Sequence, residues 1–432
     1  MAVTLTEEQQ AAAELLKQSR ICLLTGGPGT GKTTTLAYVA KSFNLARTVF
    51  CAPTGRAAQR ITEAMNESGI TGISGVASTI HTLLKPCRNG HDKKGWGFYY
   101  NRLIRLPVQT IIGDEWSMVD NQTFLALLEA VPDYGKLILI GDPDQLPPVG
   151  VGAGLRDMIS SGVIPHAKLT QVHRYAGRIA HVCQAINRGD KWMPSPALND
   201  APDAGPFGPE NLRHVEHRNP EDSVKAMKEI IDALVNRRKF DPLNDVQVLC
   251  SRNDQGGMSR KTLNVQLQEM LNPKGTSVEG APYRVGDKVM CLQNGIRESW
   301  SASGEEAFGQ VYVANGEQGV VRAVSKKDVL VKFGNSHIKF TRNNWESQLT
   351  LAYAITVHKA QGGGWPAVLY MVDEARHVDR SLIYTAISRA KKLCFTIGRK
   401  YTLDQQCQRV SMDQRKTFLA EGVRDGVELA EI

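Results

Sequence analysis

Residues 26–33 read GGPGTGKT and satisfy the pattern G-x-x-x-x-G-K-[ST]. An apolar run precedes this pattern and a helical pattern follows it, which is the context that a phosphate-binding loop requires. Glycines let backbone N–H groups turn inward around a phosphate, and the next helix adds its positive N-terminal end. We therefore predict that Lys32 binds the β- and γ-phosphates and that the Thr33 hydroxyl binds Mg²⁺. The nucleotide contacts predicted in this loop are Gly27, Pro28, Gly29, Thr30, Gly31, Lys32, Thr33 and Thr34.

Two adjacent carboxylates, Asp114 and Glu115, close a later apolar run, QTIIG. A carboxylate at the C-terminal end of a parallel strand beside a phosphate loop can hold Mg²⁺ through its water shell. A second carboxylate can orient the attacking water or accept its proton. We assign Asp114 to the metal and Glu115 to the general base. These residues predict a nucleoside-triphosphate hydrolase, a class shared by kinases, transporter ATPases, AAA-type machines and helicases.

Short apolar runs that alternate with helical patterns must position these residues. Such strands predict parallel sheets covered by helices on both faces, so the fold class is α/β with two such units. The early runs are 20–25 (RICLLT), 47–54 (RTVFCAPT), 108–115 (VQTIIGDE) and 136–142 (KLILIGD), and the late runs are 245–252 (DVQVLCSR), 366–373 (PAVLYMVD) and 393–399 (LCFTIGR).

Three irregular stretches interrupt this pattern. Residues 194–209 contain five prolines and two glycines, which prevents regular structure. Residues 272–344 change to short strands and turns, which predicts a small β-barrel inserted into the second unit. Residues 86–106 form an insertion with aromatic and basic side chains in the first unit. We predict a first domain over residues 1–160, a second over 161–271 and 345–432, and the β insertion over 272–344.

Composition excludes several classes of protein. The 432 residues are 42% hydrophobic and 22% charged, which is ordinary for globular proteins. No apolar run reaches the ~18 residues of a membrane span, and the N-terminus lacks the apolar core of a signal peptide. Eight scattered cysteines without a C-x-x-C pair argue against zinc ribbons and disulfide scaffolds, so we expect a cytoplasmic protein with reduced thiols. The net charge of +8 is compatible with a polyanionic partner.

Seven further motifs occur in order along residues 5–392. Together with the phosphate loop and the Asp-Glu strand they resemble the superfamily 1B DNA helicases of the RecD and Dda type. This resemblance implies two RecA-like motor domains, an SH3-like β insertion in the second and a short hairpin insertion in the first. The motifs are LTEEQQAA at 5–12, APTGRAA at 52–58, STIHTLL at 78–84, GDPDQLPPVG at 141–150, LTQVHR at 169–174, AYAITVHKAQG at 352–362 and LIYTAISRAKK at 382–392.

The resemblance implies roles for five residues outside the phosphate loop. Gln9 resembles the residue whose amide reads the adenine edge, with a surface helix-start role as the alternative. Gln145 resembles the γ-phosphate sensor. Arg174 and Arg389 resemble two arginines that reach the γ-phosphate from the second motor domain, and such arginine fingers contribute roughly 10³–10⁵ in rate. Tyr384 resembles a residue that packs at the nucleotide site, with a core tyrosine as the alternative.

The resemblance also implies contacts to nucleic acid, which we expect on the opposite edge of the sheets from ATP. Hydroxyl, imidazole, amide and backbone groups contact phosphates without reading sequence. The histidines have a structural role as their alternative, and the aromatic cluster at 96–100 is either a strand-separating pin or a local core. The predicted contacts are Pro53, Thr54, Arg56, Thr79, His81, Thr356, His358 and Gln361.

Three departures from the family pattern stand out. Trp116 follows Asp-Glu where a small residue is usual, and we expect it to press on the nucleotide or DNA path. Gly363 and Gly364 replace a common Ser-Glu, which removes a ribose contact. The chain starts almost directly at Gln9, so we expect a compact motor without the N-terminal RecD-type extension.

The resulting functional hypothesis is a monomeric motor that hydrolyses ATP and moves on single-stranded DNA. The resemblance implies 5′-to-3′ travel and unwinding at duplex junctions, in a bacterial or phage-infected cell, with replication or recombination proteins as partners. Two alternatives stay open: an ATPase subunit of a larger repair complex that does not unwind DNA alone, and an RNA helicase of the same superfamily.

Overall fold

The computed structural model describes residues 5–70, 77–87, 97–171, 177–190, 211–411, 417 and 419–431. The chain forms two compact units. Unit 1 comprises residues 1–176 and 410–432, and unit 2 comprises residues 177–409. Arg174, Trp96 and the stretch 194–209, for which we made predictions above, lie outside the described residues.

Unit 1 alternates strands and helices along the chain. Its strands are β1 (Ile21–Gly26), β2 (Thr48–Ala52), β3 (Ser78–Thr79), β4 (Pro86–Cys87), β5 (Gly97–Phe98), β6 (Thr110–Gly113), β7 (Lys136–Gly141) and β8 (His166–Leu169). Its helices are α1 (Glu7–Gln18), α2 (Lys32–Ala40), α3 (Gly55–Glu67), α4 (Ile80–Leu84), α5 (Asn121–Ala130), α6 (Gly154–Ser161) and, after unit 2, α14 (Leu419–Glu431).

Six strands of unit 1 form one parallel sheet in the order β3-β2-β6-β7-β1-β8. Successive residues of a strand point to opposite faces, so each strand contributes to two hydrophobic clusters. Leu24 and Ile112 lie in one cluster, and Leu23 and Ile111 lie in the other. Burial on both faces explains why these strands are apolar throughout.

Local capping residues begin the helices that flank this sheet. Thr6 and Gln9 form a reciprocal capping box at the start of α1. The Thr54 hydroxyl accepts a hydrogen bond from the backbone of Ala57 at the start of α3, and Asp120 accepts one from Thr123 at the start of α5. Each cap satisfies a backbone N–H that has no partner within its helix.

Unit 2 repeats this alternation and adds an antiparallel insertion. Its strands are β9 (Leu212–Glu216), β10 (Val246–Cys250), β11 (Lys288–Cys291), β12 (Gly295–Trp300), β13 (Ala307–Val313), β14 (Gln318–Val324), β15 (Asp328–Phe333), β16 (Ser336–Thr341), β17 (Leu349–Leu351), β18 (Ala354–Thr356), β19 (Trp365–Met371) and β20 (Ala390–Gly398). Its helices are α7 (Gly177–Arg188), α8 (Pro220–Asp232), α9 (Arg260–Leu271), α10 (Trp345–Gln348), α11 (Val357–Ala360), α12 (Arg380–Ser388) and α13 (Lys400–Gln408).

The parallel sheet of unit 2 has the strand order β18-β10-β19-β20-β9. The six strands within residues 272–344 and the following strand β17 form a separate antiparallel sheet in the order β13-β12-β16-β15-β14-β11-β17. The insertion has its own hydrophobic cluster, which includes Val289, Val331 and Phe340. The predicted fold class, with two parallel α/β sheets and a β insertion in the second unit, is therefore confirmed. The SH3-like character of the insertion stays a prediction.

Two domain boundaries differ from the prediction. Strand β8 lies within residues 161–271, which we placed in the second domain, but it pairs with β1 in the sheet of unit 1. The C-terminal residues 410–432 also group with unit 1. Thr417 donates a hydrogen bond to Asp157 of α6, and Leu419 packs on the cluster that contains Leu155. Both differences arise from tertiary pairing between segments that are distant in sequence.

Among the described residues, no helix has the length and apolar character needed to cross a membrane. None of the eight cysteines, all of which are described, forms a disulfide.

Candidate nucleotide and nucleic-acid site

The phosphate loop connects the last residue of β1 to the first residue of α2. Gly29 and Gly31 have φ angles of 76° and 87°, a left-handed conformation that glycine adopts without steric cost. A Cβ on Gly26 would lie 2.6 Å from Thr30 Oγ1 and 2.7 Å from the Leu169 carbonyl oxygen. The glycines of this motif are therefore required by the path of the backbone, which leaves the N-terminus of α2 at the end of the loop. Such an N-terminus attracts anions.

Side chains of the loop make hydrogen bonds within it and differ in their exposure. Lys32 Nζ donates hydrogen bonds to the carbonyl oxygens of Gly26 and Gly27. The Thr30 side chain is buried, and its hydroxyl donates to the Gly27 carbonyl at 2.9 Å. Thr33 and Thr34 are exposed in the first turn of α2. The loop thus presents a cation, two accessible hydroxyls and a helix N-terminus, which suits a polyphosphate.

Gln9 lies behind this loop. Its side chain is buried, its Oε1 accepts a hydrogen bond from Thr6 N at 3.1 Å, and its Nε2 donates to the Thr30 carbonyl at 3.3 Å. The amide therefore connects α1 to the phosphate loop. The burial of Gln9 differs from the alternative of an exposed helix-start residue. A contact to adenine stays a prediction.

Asp114 and Glu115 follow β6, which is separated from β1 by one strand, β7. Burial and the neighbouring charge of Glu115 raise the pKa of the Asp114 carboxyl to about 6, although the positive charges of Lys32 and Arg60 act in the other direction. Glu115 has a φ of 54°, and its backbone N–H donates to Asp114 Oδ1 at 2.7 Å. The two carboxyls are therefore packed close together and lie within the electrostatic reach of the loop lysine.

Gln145 lies beyond β7, the strand between β1 and β6. Its side chain is buried, and its Nε2 donates to Asp142 Oδ2 at 3.3 Å. Asp142 also accepts a hydrogen bond from the backbone of Asp144 at 3.1 Å. Two hydrogen bonds thereby stabilise the turn after β7. The three adjacent strands β1, β7 and β6 place Lys32, Gln145 and the two carboxyls at one edge of the sheet.

The donor groups fit Mg²⁺. Thr33 offers a hydroxyl oxygen and Asp114 a carboxylate oxygen, the hard donors that Mg²⁺ prefers. Within the described ranges, no group of three or more His, Cys, Asp and Glu side chains is arranged to hold a metal ion. Mg²⁺ typically takes one or two protein carboxylates and completes its shell with phosphate and water, so a sparse protein site is the expected kind.

The predicted nucleic-acid contacts of unit 1 lie on the same edge of the sheet, and our expectation of an opposite edge was wrong. Pro53, Thr54 and Arg56 follow β2, and Thr79 and His81 belong to β3 and α4. Because all six strands are parallel, their C-terminal ends share one edge. The two sets of residues are instead separated along that edge. The predicted nucleotide-binding residues follow β1, β7 and β6, and the predicted nucleic-acid contacts lie at the ends of β2 and β3.

These contacts differ in accessibility. Thr54 and Arg56 are partly exposed at the start of α3. Thr79 is buried, and its hydroxyl caps α4 by accepting a hydrogen bond from Thr82 N at 3.1 Å. His81 packs edge-on against Phe98 and keeps a solvent-accessible part, while the surrounding protein lowers the pKa of its imidazole. Thr54, Arg56 and a neutral His81 therefore keep accessible surface for phosphate contacts, although Thr54 also caps α3, whereas the burial of Thr79 favours a structural role alone.

The base of the insertion at 86–106 is a short hairpin of β4 and β5. Phe98 and Tyr100 pack against a core cluster of unit 1, and Lys85 lies over the rings of Tyr99 and Tyr100. These contacts favour the local-core alternative for Phe98 and Tyr100. Leu103 is 84% exposed, and the hairpin tip lies outside the described residues.

The expectation that Trp116 presses on a ligand path was wrong. Trp116 is 1% exposed and packs edge-on against Phe124 with ring centroids 5.7 Å apart. A Cβ on Gly113 would lie 2.4 Å from its ring. The large residue after Asp-Glu fills the core beneath β6, where a glycine in the strand makes room for it.

In unit 2, the nucleic-acid candidates follow β18, at one side of the parallel sheet. Thr356 ends β18 and is partly exposed, and His358 is exposed on α11. Gln361 is buried at the end of α11. Exposure therefore favours Thr356 and His358 for direct contacts.

Arg389 and Tyr384 are both buried in the region of α12. Arg389 Nη1 donates to the Gly363 carbonyl at 3.2 Å, and its Nη2 donates to Ser388 Oγ at 3.1 Å. Gly363, the first residue of the glycine pair that replaces Ser-Glu, thus provides its backbone carbonyl as an acceptor for Arg389. Tyr384 has no exposed surface, which favours the core alternative. The arginine-finger roles of Arg389 and Arg174 stay predictions.

Sequence reasoning did not identify Arg60. Its Nη1 lies 3.6 Å from Glu115 Oε1. The available signal was the spacing of Arg60 and Arg56, four residues apart on α3, which places both on one face of the helix.

Two family models match the chain, an AAA domain over residues 4–202 and a UvrD-like helicase C-terminal domain over residues 351–397. The ATP-dependent RecD2 DNA helicase of Deinococcus radiodurans is 33% identical over 97% of this chain and 52% of that protein. The RecBCD enzyme subunit RecD of Mycolicibacterium smegmatis is 31% identical over 91% of this chain and 71% of that protein. The chain thus spans about half the length of the first relative.

Among solved structures, the fold resembles that of the Pif1 helicase from Bacteroides in complex with ADP-AlF3 and ssDNA. The match covers 99% of this chain and 98% of that chain, with a TM-score of 0.54 and 19% sequence identity. At this identity the likeness describes the fold, in agreement with the two parallel sheets seen here.

Proposed function

Since this chain belongs to the RecD-like family of superfamily 1B helicases, we propose that it is an ATP-dependent DNA helicase that moves on single-stranded DNA. The observation that carries this proposal is the edge of the first sheet. Three neighbouring strands there present Lys32, Gln145 and the Asp114–Glu115 pair, and the next two strands present Thr54, Arg56 and His81. Under this proposal, a triphosphate site and a site for the DNA backbone are neighbours along one sheet.

The residues of unit 1 divide the work of hydrolysis. Backbone N–H groups of the loop and Lys32 bind the β- and γ-phosphates, which requires the ammonium to exchange its carbonyl partners for phosphate oxygens. Thr33 and Asp114 would hold Mg²⁺, which when bound would neutralise charge on the phosphates. Glu115 orients the attacking water and accepts its proton, and Gln145 reports on the γ-phosphate. The roles of Arg174 and Arg389 as arginine fingers accompany this proposal on the family resemblance.

Movement along DNA requires contacts that do not read sequence. Hydroxyls and a neutral imidazole, as at Thr54, His81, Thr356 and His358, bind phosphate and sugar in this way. Binding and loss of the γ-phosphate change which conformation is favoured, so each ATP cycle can shift the grip on the strand. We propose 5′-to-3′ travel on the family resemblance alone, with a monomer as the working form.

The experiment that tests this function measures ATP turnover and strand displacement by the purified chain. We expect single-stranded DNA to raise turnover strongly, and a duplex with a 5′ tail to be separated faster than one with a 3′ tail. Equal turnover with and without DNA contradicts a translocase. RNA oligonucleotides of the same sequence provide the comparison that separates a DNA helicase from an RNA helicase.

A second candidate function is that of an ATPase subunit in a larger repair complex. The mycobacterial relative favours it, because that protein is named as a subunit of the RecBCD enzyme. DNA-stimulated turnover without strand displacement from either tailed duplex supports this candidate over the isolated motor.

A further inference from the structure

An ion pair joins the two halves of the sheet edge in unit 1. Arg60 on α3 lies with its Nη1 3.6 Å from Oε1 of Glu115, the residue that follows Asp114 after β6. The Arg60 side chain is 44% exposed and that of Glu115 is 15% exposed. The pair is therefore at the boundary between the phosphate residues and the predicted nucleic-acid contacts.

The backbone of Glu115 is fixed, so its side chain alone decides where the carboxylate points. Its N–H donates to Asp114 Oδ1 at 2.7 Å, and the Asp114 N–H donates to the Cys51 carbonyl of β2 at 3.0 Å. Its φ of 54° is unusual for a glutamate. The next residue, Trp116, is anchored in the core by its buried ring. Such a strained and well-anchored position is typical of functional sites.

Arg60 is mechanically connected to the predicted nucleic-acid contacts. Helix α3 is a single helix of 13 residues that begins at the Thr54 cap. Arg56 and Arg60 are four residues apart, which corresponds to about 6 Å along the axis and a shared face. A phosphate bound at the first turn of α3 therefore lies near both guanidinium groups. It can attract Arg60 directly or draw the helix toward the strand.

A guanidinium beside the general base has a clear consequence for hydrolysis. A carboxylate that faces Arg60 is directed toward α3, and it must turn from Arg60 to accept a proton from the attacking water. The pair is long and partly exposed, and ion pairs of this kind are weak. Weakness is what a switch requires, because a single bound phosphate must be able to break the pair.

We propose that Arg60 is a positioning residue that restrains the Glu115 carboxylate and releases it when single-stranded nucleic acid binds at the first turn of α3. The proposal rests on the proposed function, because it explains how DNA binding would accelerate ATP hydrolysis in the same unit. The step is a change of ion-pair partner, in which the Arg60 guanidinium passes from the carboxylate to a DNA phosphate.

The test compares Arg60→Gln and Arg60→Lys with the wild type. ATP turnover is measured at saturating ATP and Mg²⁺, without DNA and with saturating poly(dT). We expect Arg60→Gln to raise the DNA-free kcat about two- to fivefold, as the loss of a weak ion pair allows. The DNA-bound kcat and the KM for ATP stay unchanged, so the ratio of stimulation falls by the same factor. Arg60→Lys keeps the charge and restores most of the restraint.

Two controls separate this role from a general effect of charge or folding. Arg188→Gln removes an arginine from an exposed ion pair with Asp190 on unit 2, and we expect it to leave both rates unchanged. A salt titration of the wild type needs no variant: moderate salt screens the Arg60–Glu115 pair and raises the DNA-free kcat, whereas Arg60→Gln lacks this response.

The outcomes distinguish the inference from the function on which it rests. A wild type without DNA-stimulated turnover overturns both. A stimulated wild type with an unchanged or lower DNA-free kcat in Arg60→Gln overturns the inference alone. A lower DNA-bound kcat in Arg60→Gln, with an unchanged ratio of DNA-bound to DNA-free kcat, also overturns the inference. In that case Arg60 supports Glu115 instead of restraining it. If Arg60→Gln does not fold, a DNA-free kcat of the wild type that does not respond to salt overturns the inference.

Discussion

Replacing Asp114 by asparagine should stabilise the protein in the absence of nucleotide and Mg²⁺, although it should abolish ATP turnover. Burial and the charge of Glu115 raise the pKa of the Asp114 carboxyl from an ordinary value of 3.8 to about 6. The ionised form therefore destabilises the folded state at neutral pH. Asparagine keeps an oxygen that can accept the hydrogen bond from the Glu115 N–H, and it carries no charge.

The size of the effect follows from the shift. The folded-state pKa of Asp114 is about 6 and its ordinary value is 3.8. At ~1.4 kcal/mol for each unit of pKa, this difference lowers the free energy of unfolding at neutral pH by about 3 kcal/mol. Because the folded-state pKa is raised, the penalty is absent below the unfolded value, grows between about pH 4 and 6, and is complete above pH 6. The advantage of Asp114→Asn should follow the same window. For a unit of this size each kcal/mol moves the melting temperature by roughly 2–4 °C.

The assay is thermal denaturation in EDTA at pH 8 and at the lowest pH at which both proteins stay folded. We expect Asp114→Asn to melt several degrees above the wild type at pH 8, with a smaller gap in acid. Mg²⁺ with ATP should narrow the gap at pH 8, since a bound cation makes the Asp114 charge favourable. Asp133→Asn, at a side chain that is 97% exposed, is the matched control and should change little. A variant no more stable than the wild type at pH 8, or a gap independent of pH, refutes this reasoning.

Three further predictions concern the site, the core and the partner. Lys32→Ala should abolish ATP turnover and leave a folded protein, because the hydrogen bonds of Nζ are to loop carbonyls and not to core groups. The exposed Lys41→Ala is its control and should retain the wild-type rate. Turnover by Lys32→Ala near the wild-type rate contradicts the site. Trp116→Ala should lower the free energy of unfolding by about 3–5 kcal/mol in urea denaturation, since it empties a fully buried position. The exposed Tyr134→Ala is its control, and equal losses in the two variants would argue against a core role. The affinity for single-stranded DNA, measured by fluorescence anisotropy, should fall linearly with salt on logarithmic axes, because the net charge of +8 favours phosphate contacts that release counterions; a flat dependence points to a different partner.

The sequence alone was sufficient for features that depend on neighbouring residues. The phosphate loop is local, because Gly29 and Gly31 supply the left-handed turns and Lys32 follows them directly. The apolar strands are also local signals, since burial on both faces leaves a continuous run in the sequence. The change from helical to strand periodicity after residue 271 identified the β insertion for the same reason. These patterns required no knowledge of what each segment touches.

Tertiary structure decided which distant segments meet. Sequence spacing did not show that β8 pairs with β1 or that the C-terminal helix packs on α6, since both depend on long-range contacts. The sequence position of Trp116 after Asp-Glu suggested a ligand contact. In the structure its ring lies in the core, where Gly113 has no side chain to exclude it. The parallel strand order placed the phosphate residues and the predicted nucleic-acid contacts on one edge. The same order brought Arg60 to Glu115, because the ends of adjacent strands β2 and β6 hold α3 beside the turn that contains Asp114 and Glu115.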